Sequence, residues 1–196
     1  AYSMPRAIWG NIQSQYDALL AANLDPSVPV DPTVMLTRCR AWLVHRDYSR
    51  ELNLTCQDDF TVLDSQSMRW SFTVPSGMGE NIRLSATLQF CRTANALQLS
   101  FTRKKSASSP DQDNLLPGDE AVCLILRPDI DDRSCHTTTK AFHGAETKFP
   151  NATRTFPQAF EFSPSGRHTL RMSCSTGYYF PAPEWKYQVP HPHEVQ

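Results

Sequence analysis

The sequence predicts an all-β domain, an antiparallel β-sandwich, and three observations lead to this expectation. Apolar and polar residues alternate with a period of two in several short segments, which gives each predicted strand one apolar and one polar side. Turn-forming residues separate these segments, and the 196 residues include 15 prolines. Helical periodicity is scarce. One apolar side per strand indicates antiparallel sheets whose inner faces stack on a shared core.

The predicted strands follow one another along most of the chain. They lie at residues 34–45, 69–74, 82–91, 97–102, 160–162 and 170–175. Residues 92–96 join two strongly alternating segments through Thr93, Ala94 and Asn95, which predicts an antiparallel hairpin. Residues 16–24 have good helix propensity, but the segment is short and sheet pairing overrides propensity in many proteins. Residues 104–119 are rich in Ser, Asp and Pro, which predicts a flexible hairpin loop.

Composition excludes several classes of function. The formal net charge is −1, so the chain has neither the basic field of a nucleic-acid or lipid binder nor an acidic tail. No apolar run approaches the length of a membrane span, and residues 1–20 lack the layout of a signal peptide. The six cysteines form no CxxC pair, and four of them lie in strand-like runs (Cys39, Cys91, Cys123 and Cys174). We therefore expect free, buried thiols and a cytoplasmic protein.

The segment 122–136 is the most informative part of the sequence for a functional site. An apolar run stops at Arg127 and Pro128, and Pro128 predicts a strand end or an edge strand because proline donates no ladder hydrogen bond. The charged residues that follow are Asp129, Asp131, Asp132, Arg133 and His136. One interpretation is a surface turn that pairs its own charges. We favour an interface loop mounted at the end of a strand.

Two catalytic interpretations of this segment are weaker. Its carboxylates suit a hard cation, but Arg127 and Arg133 flank them and the spacing is not that of an EF-hand, so we expect no metal or other cofactor. A hydrolytic carboxylate pair must lie on both sides of a substrate bond, which neighbours on one loop rarely do.

Aromatic residues are the other candidates, because a flat ring suits the apolar face of a sugar. Trp70 is in phase with Phe72, which predicts a core position. Trp185 lies among prolines near Tyr187, which predicts an exposed ring or one that covers an interdomain surface. Trp9 and Trp42 fit either role. We interpret residues 103–105 as a solvated basic tip and residues 189–196, with their His-Pro-His run, as an extended linker.

Four motifs, in this order, resemble the N-terminal domain of bacterial glycogen debranching enzymes of the amylo-α-1,6-glucosidase type. They are residues 10–24 (GNIQSQYDALLAANL), residues 34–40 (VMLTRCR), residues 126–133 with His136 (LRPDIDDR), and residues 180–187 (FPAPEWKY) followed by His191-Pro-His-Glu194. The resemblance spans essentially the whole chain. One departure stands out: the chain has Gln13-Ser-Gln15 where the family has a Thr-Arg pair before the tyrosine.

The resemblance implies a β-supersandwich (of the galactose-mutarotase and glucoamylase N-domain kind) at residues 1–188. It also implies a linker at 189–196 that leads to an α/α-barrel catalytic domain in a longer polypeptide. The chain itself is then not an enzyme. It packs on the catalytic domain and helps position α-glucan, with no nucleic-acid or membrane partner. The expected contact residues are Arg127, Asp129, Asp132, Arg133, His136, Trp185 and Tyr187. The alternatives are a free-standing carbohydrate-binding module and a metal-assisted hydrolase that uses the 129–136 cluster.

Overall fold

A computed structural model provides the structure of the protein, and it describes residues 1–25, 27–28, 30–104 and 114–194. Within these ranges the chain forms twelve strands and one short α-helix. None of the helical segments in this part of the chain has the length and apolar character needed to cross a membrane.

In the described part of the chain all the strand pairs are antiparallel, apart from one isolated parallel bridge between Asn81 and Leu115. The strands are β1 (Tyr2–Met4), β2 (Ala18–Ala22), β3 (Thr33–His45), β4 (Tyr48–Glu51), β5 (Gln57–Val62), β6 (Ser67–Pro75), β7 (Asn81–Phe90), β8 (Leu97–Arg103), β9 (Cys123–Ser134), β10 (Thr153–Phe156), β11 (Ala159–Phe162) and β12 (Leu170–Ser173). The helix α1 spans Ala145–Asn151 and follows a 3-10 turn at Ala141–His143.

Strand β3 organises the five-stranded sheet. It pairs with β2 in its first half and β4 in its second half, while β9 runs along its entire other edge. Strand β9 pairs with β3 alone within the described residues, so it is an edge strand. This position explains why Pro128 is tolerated opposite Cys39 in the ladder, because an outward-facing edge position needs no amide donor.

The main core lies between this sheet and the four-stranded sheet β5-β6-β7-β8. Strand β3 contributes its odd-numbered residues Cys39, Ala41 and Leu43, and strands β6 and β7 contribute their alternating apolar residues. Trp70 and Phe72 are almost fully buried there, which confirms the core position predicted for Trp70. Trp9 packs edge-on against Trp70 with ring centroids 5.1 Å apart, so it also belongs to the core.

The three-stranded sheet β10-β11-β12 adds a smaller core. Phe160, Phe162 and Leu170 are buried against Met35 of β3, and Phe149 of α1 packs on Phe162 at a centroid distance of 4.9 Å. The structure thus confirms an all-β, antiparallel architecture of stacked sheets, including the predicted strands at 34–45 and 69–74 and the hairpin of β7 and β8.

Residues 18–22, despite their helix propensity, form strand β2, because pairing with β3 buries four of their five side chains. Several local predictions were wrong. The charged segment is not a loop, since β9 continues through Pro128 to Ser134. Cys123 and Cys174 are exposed rather than buried. The helix α1 carries no strong periodic signal and was not predicted.

The predicted loop at 104–119 lies partly outside the described residues, which resume at Asn114. The part that is described is anchored: Leu116 is buried in the main core. Arg103 is not a solvated tip, because its guanidinium donates hydrogen bonds to the carbonyls of Leu116, Pro117 and Glu120 at 2.6–2.9 Å. The predicted linker at 189–196 also lies partly outside the described residues, which end at Glu194.

Candidate functional site

The outer face of the five-stranded sheet carries an unusual set of side chains. Because side chains alternate along a strand, the core positions Cys39 and Ala41 leave Arg38, Arg40 and Trp42 on the opposite face of β3. Their ladder partners on β9 share that face, since paired residues point the same way: Asp129 opposite Arg38, Arg127 opposite Arg40 and Ile125 opposite Trp42.

Asp129 holds both β3 arginines. Its Oδ2 accepts a hydrogen bond from Arg38 Nε at 2.6 Å, and its Oδ1 accepts two from Arg40, from Nη2 at 2.8 Å and Nε at 3.0 Å. All three side chains are mostly buried, so this triad is weakly screened. Arg38 also donates to the Gly10 carbonyl at 3.0 Å. The triad fixes the direction of the guanidinium groups on the outer face.

The C-terminal segment (residues 178–194) has no regular secondary structure and is attached to this face. Arg127 donates to the Ala182 carbonyl at 2.9 Å and pairs with Glu184 at 2.8 Å. Burial alone would raise the pKa of Glu184, but the hydrogen bond from Lys186 and the charges of Arg127 and Arg40 outweigh it and lower this pKa. Glu184 therefore stays ionised and pins the segment to the sheet.

The next part of the C-terminal segment packs against helix α1. The Trp185 ring lies edge-on to Phe149 with centroids 6.0 Å apart, and the Tyr187 hydroxyl donates a hydrogen bond to Glu146. This bond raises the pKa of Tyr187. Trp185 is partly buried by these contacts, whereas Tyr187 remains 60% exposed. The Trp185 ring therefore packs on α1 within the domain, and the expectation that it covers an interdomain surface stays a prediction.

A groove of about 330 Å³ lies between the sheet and the C-terminal segment. Its floor consists of side chains from β3 and β4, and its wall is residues 186–190. The lining residues are Arg38, Arg40, Trp42, Glu51, Lys186, Tyr187, Gln188, Val189 and Pro190.

A second cluster joins Arg133 to the start of the chain. Arg133 pairs with Asp131 at 2.9 Å and donates to the carbonyls of Gln15 and Thr137, both at 2.7 Å. Burial raises the pKa of Asp131, although Thr139 and Arg133 act against the increase. The predicted departure from the family pattern lies here, because Gln15 is part of the Gln13-Ser-Gln15 segment.

Glu194 binds the same segment from the other end of the chain. Its Oε1 accepts hydrogen bonds from the Gln15 amide at 2.6 Å and the Ser14 hydroxyl at 2.8 Å. The His193 amide donates to the Gln13 carbonyl at 3.0 Å. Burial alone would raise the pKa of Glu194, but these two donors and the charges of His191 and Arg133 lower it. The segment 13–15 is therefore a docking point for the C-terminal segment.

The remaining predicted residues point elsewhere. Asp132 pairs with His168 at 2.6 Å, beside the three-stranded sheet. His136 contacts Tyr16 through its ring and through Nδ1, 3.5 Å from the hydroxyl oxygen. The chain turns after Ser134, so the ligand-type atoms of Cys135, His136 and Asp31 lie within 4.8 Å of one another. Within the described residues this is the group with metal-ligand geometry, and it differs from the carboxylate cluster weighed from the sequence.

The seven predicted residues thus fall into separate places. Arg127 and Asp129 share the outer face, and Arg127 connects through Glu184 to the segment that carries Trp185 and Tyr187. Asp132, Arg133 and His136 contact other elements. Sequence reasoning missed four participants, Arg38, Arg40, Glu184 and Glu194. The alternation of β3 was a usable signal for the two arginines, since it places them opposite the core residues.

The family model described as the N-terminal part of glycogen debranching enzyme matches residues 1–196 of this chain. Searches of curated proteins and of solved structures find no significant match.

Proposed function

The chain belongs to the family of glycogen debranching enzyme N-terminal domains, and on this premise we propose that it is a non-catalytic support for the catalytic domain. In this proposal residues 1–188 form the support and residues 189–196 the linker. The support packs on an α/α-barrel of the same polypeptide and helps position branched α-glucan.

One observation carries the proposal: the C-terminal segment is fixed to the outer face while its apolar side chains remain exposed. Tyr178 is 82% exposed and Phe180 is 73% exposed, although Arg127 anchors Ala182 two residues later. Large apolar side chains that are ordered yet exposed are typical of surfaces that meet another protein domain. Phe142, just before α1, is similarly exposed.

The charge pairing supports a non-catalytic role. Asp129 is held by two arginines, Asp131 by Arg133, and Asp132 by His168. Glycoside hydrolysis needs one carboxyl group free to deliver a proton and a second across the bond to be cleaved. Carboxylates that are engaged by cations within their own sheet are poorly suited to either task.

The predicted contact residues receive distinct roles in this proposal. Arg127, Trp185 and Tyr187 hold the C-terminal segment in place. Asp129 positions the arginines in the floor of the groove. Asp132, Arg133 and His136 stabilise the surface that faces the barrel. The bonds of His193 and Glu194 to residues 13–15 fix the direction in which the linker leaves the body.

The test uses the longer enzyme with its catalytic domain. The Tyr178→Ser/Phe180→Ser double variant removes exposed apolar surface without touching either core. We expect faster proteolytic cleavage within residues 189–196 and slower hydrolysis of branched glucan. Leu54→Ser is the matched control, because Leu54 is 62% exposed on a different turn. Unchanged cleavage and hydrolysis in the double variant would contradict the proposal, and so would hydrolysis of branched glucan by the 196-residue chain alone.

One observation favours the alternative, a free-standing carbohydrate-binding module: the groove has Trp42 in its floor. A module of this kind binds malto-oligosaccharide fully without the catalytic domain, and its removal from the enzyme leaves cleavage of short branched substrates intact. A support domain, by contrast, is needed for stability of the barrel.

A further inference from the structure

The groove has a rigid aromatic platform. Trp42 lies on the outer face of β3, partly exposed, between the ladder partners Ile125 and Glu51. The Arg40 guanidinium carbon lies 5.7 Å from the centre of the Trp42 ring, in cation–π range. Asp129 in turn fixes Arg40, so the ring and its neighbour are both positioned before any ligand arrives.

Some polar groups around the Trp42 ring have no hydrogen-bond or ion-pair partner among the described residues. Among the residues that the structure describes, the Glu51 carboxylate has no ion-pair or hydrogen-bond partner, and the Trp42 indole N–H has no acceptor. Lys186 and Gln188 on the wall add donors, and Gln188 also adds an acceptor. A flat apolar ring bordered by free donors and acceptors suits a sugar ring, which has an apolar face and a rim of hydroxyl groups.

The charged side chains of the groove favour a neutral ligand over an anion. Arg38, Arg40 and Lys186 bring positive charge to the groove, but Asp129 and Glu184 pair with them and Glu51 adds a further negative charge. A phosphate ion would have to displace these carboxylates from the cations of the groove. A site built for phosphate would instead present unpaired guanidinium groups. The volume of about 330 Å³ is within the range, about 300–1,000 Å³, of pockets that hold small ligands.

We propose that the groove between β3 and residues 186–190 binds a short α-1,4-linked glucan segment, with Trp42 stacked on one glucosyl ring and Glu51 accepting from its hydroxyl groups. The choice of α-glucan rests on the proposed function, while the site rests on the groove geometry. The wall belongs to the C-terminal segment, so a bound chain would contact the sheet and the segment that leads to the linker at once.

The experiment titrates the 196-residue chain with maltotetraose and follows the Trp42 indole N–H resonance by NMR and the heat of binding by calorimetry. We expect this resonance to shift with saturation. Trp42→Ala should weaken binding about tenfold, Trp42→Phe should restore part of it, and Glu51→Gln should give an intermediate loss. Val62→Ala is the control, because Val62 is 63% exposed on β5 of the four-stranded sheet, outside the groove lining, and it should bind like the parent chain.

The outcomes separate this inference from the support role. Binding that survives Trp42→Ala, an equal loss caused by Val62→Ala, or no shift of the Trp42 resonance at millimolar maltotetraose would each overturn the groove assignment. Tighter binding of glucose 6-phosphate or of cellotetraose would overturn the choice of a neutral α-glucan. None of these results bears on barrel docking, which the Tyr178→Ser/Phe180→Ser variant tests separately.

Discussion

Asp129 Oδ1 accepts two hydrogen bonds from one guanidinium group, that of Arg40, across the β3–β9 ladder. The other carboxylate oxygen binds Arg38. One acid on an edge strand therefore sets the position of two cations on the central strand. Through Arg40 it also sets the surroundings of Trp42 and reaches Glu184 of the C-terminal segment, 3.9 Å from Arg40 Nη1.

Asp129→Asn should destabilise the protein because it leaves two mostly buried arginines without their counter-charge. We expect a loss of about 2–3 kcal/mol in the free energy of unfolding, measured by chemical denaturation. Glu161→Gln is the control, since Glu161 pairs with the exposed Arg171, and it should cost less than about 0.5 kcal/mol. Equal effects of the two substitutions would show that the Asp129 triad adds nothing beyond a surface ion pair.

The fold class was predictable because alternation survives in β6, in β7 and in the second half of β3. There each core residue is two positions from the next, and the sequence displays this directly. Strand β2 was harder, because Ala and Leu favour helices and only its partner β3 reveals the strand. The path of β9 beyond Pro128 depends on its being an edge strand, a property of tertiary arrangement that no local pattern contains.

Gly77→Ala should be among the most damaging single-methyl changes in the chain. Gly77 has a φ of 83°, and an added Cβ would lie 2.6 Å from Tyr48 Cβ, which is attached to β4 and cannot move away cheaply. We expect a loss of about 3 kcal/mol, which combines the left-handed backbone cost with the clash.

Gly166→Ala separates those two causes. Gly166 has a similar φ of 69°, but an added Cβ would meet no atom within 4 Å. Its expected loss is about 1 kcal/mol from backbone strain alone. If both alanine variants unfold at the same denaturant concentration, the contact between Gly77 and Tyr48 is not close in solution.

The six thiols should react with iodoacetamide in two groups, with Cys91, Cys123 and Cys174 ahead of the buried Cys39, Cys56 and Cys135. Cys123 and Cys174 are exposed, and the Thr93 hydroxyl, 3.4 Å from Cys91 Sγ, lowers the pKa of Cys91. Burial raises the pKa of Cys39 to about 12, so this thiol should be the last to react. Mass spectrometry after brief labelling at mildly alkaline pH measures the order. Thr93→Val should slow Cys91 alone, and rapid labelling of Cys39 in the folded chain would contradict its burial.

The candidate site was only partly predictable, for a physical reason. Arg127 and Asp129 stand out as charges that interrupt an apolar strand. Their partners are distant in sequence and ordinary in local context: Arg38 lies 91 positions from Asp129 and Glu184 lies 57 positions from Arg127. Glu194 is a single acid near the end of the sequence, and its role follows only from its closeness to the Gln15 amide. Pairing across the fold is information that periodicity does not carry.

Acid should release the C-terminal segment from residues 13–15. The pKa of Glu194 is lowered from its ordinary value of 4.5 in the folded protein, so ionised Glu194 stabilises this contact. For an acid whose pKa is lowered by folding, the contribution is complete above the unfolded pKa and is lost as the pH falls through the folded pKa. We therefore expect the Gln15 amide resonance to titrate with a midpoint below pH 4.5 and its hydrogen exchange to become less protected there.

Glu194→Gln identifies the group responsible. Glutamine retains an oxygen that accepts from the Gln15 amide and the Ser14 hydroxyl but carries no charge, so the low-pH step in the Gln15 resonance should vanish in this variant. Glu184→Gln is the matched control, because Glu184 also has a lowered pKa but binds Arg127 rather than residues 13–15. It should leave the step in place. A step that persists in Glu194→Gln, or a midpoint above 4.5 in the parent chain, would mean that the carboxylate is not held by the Ser14 and Gln15 donors.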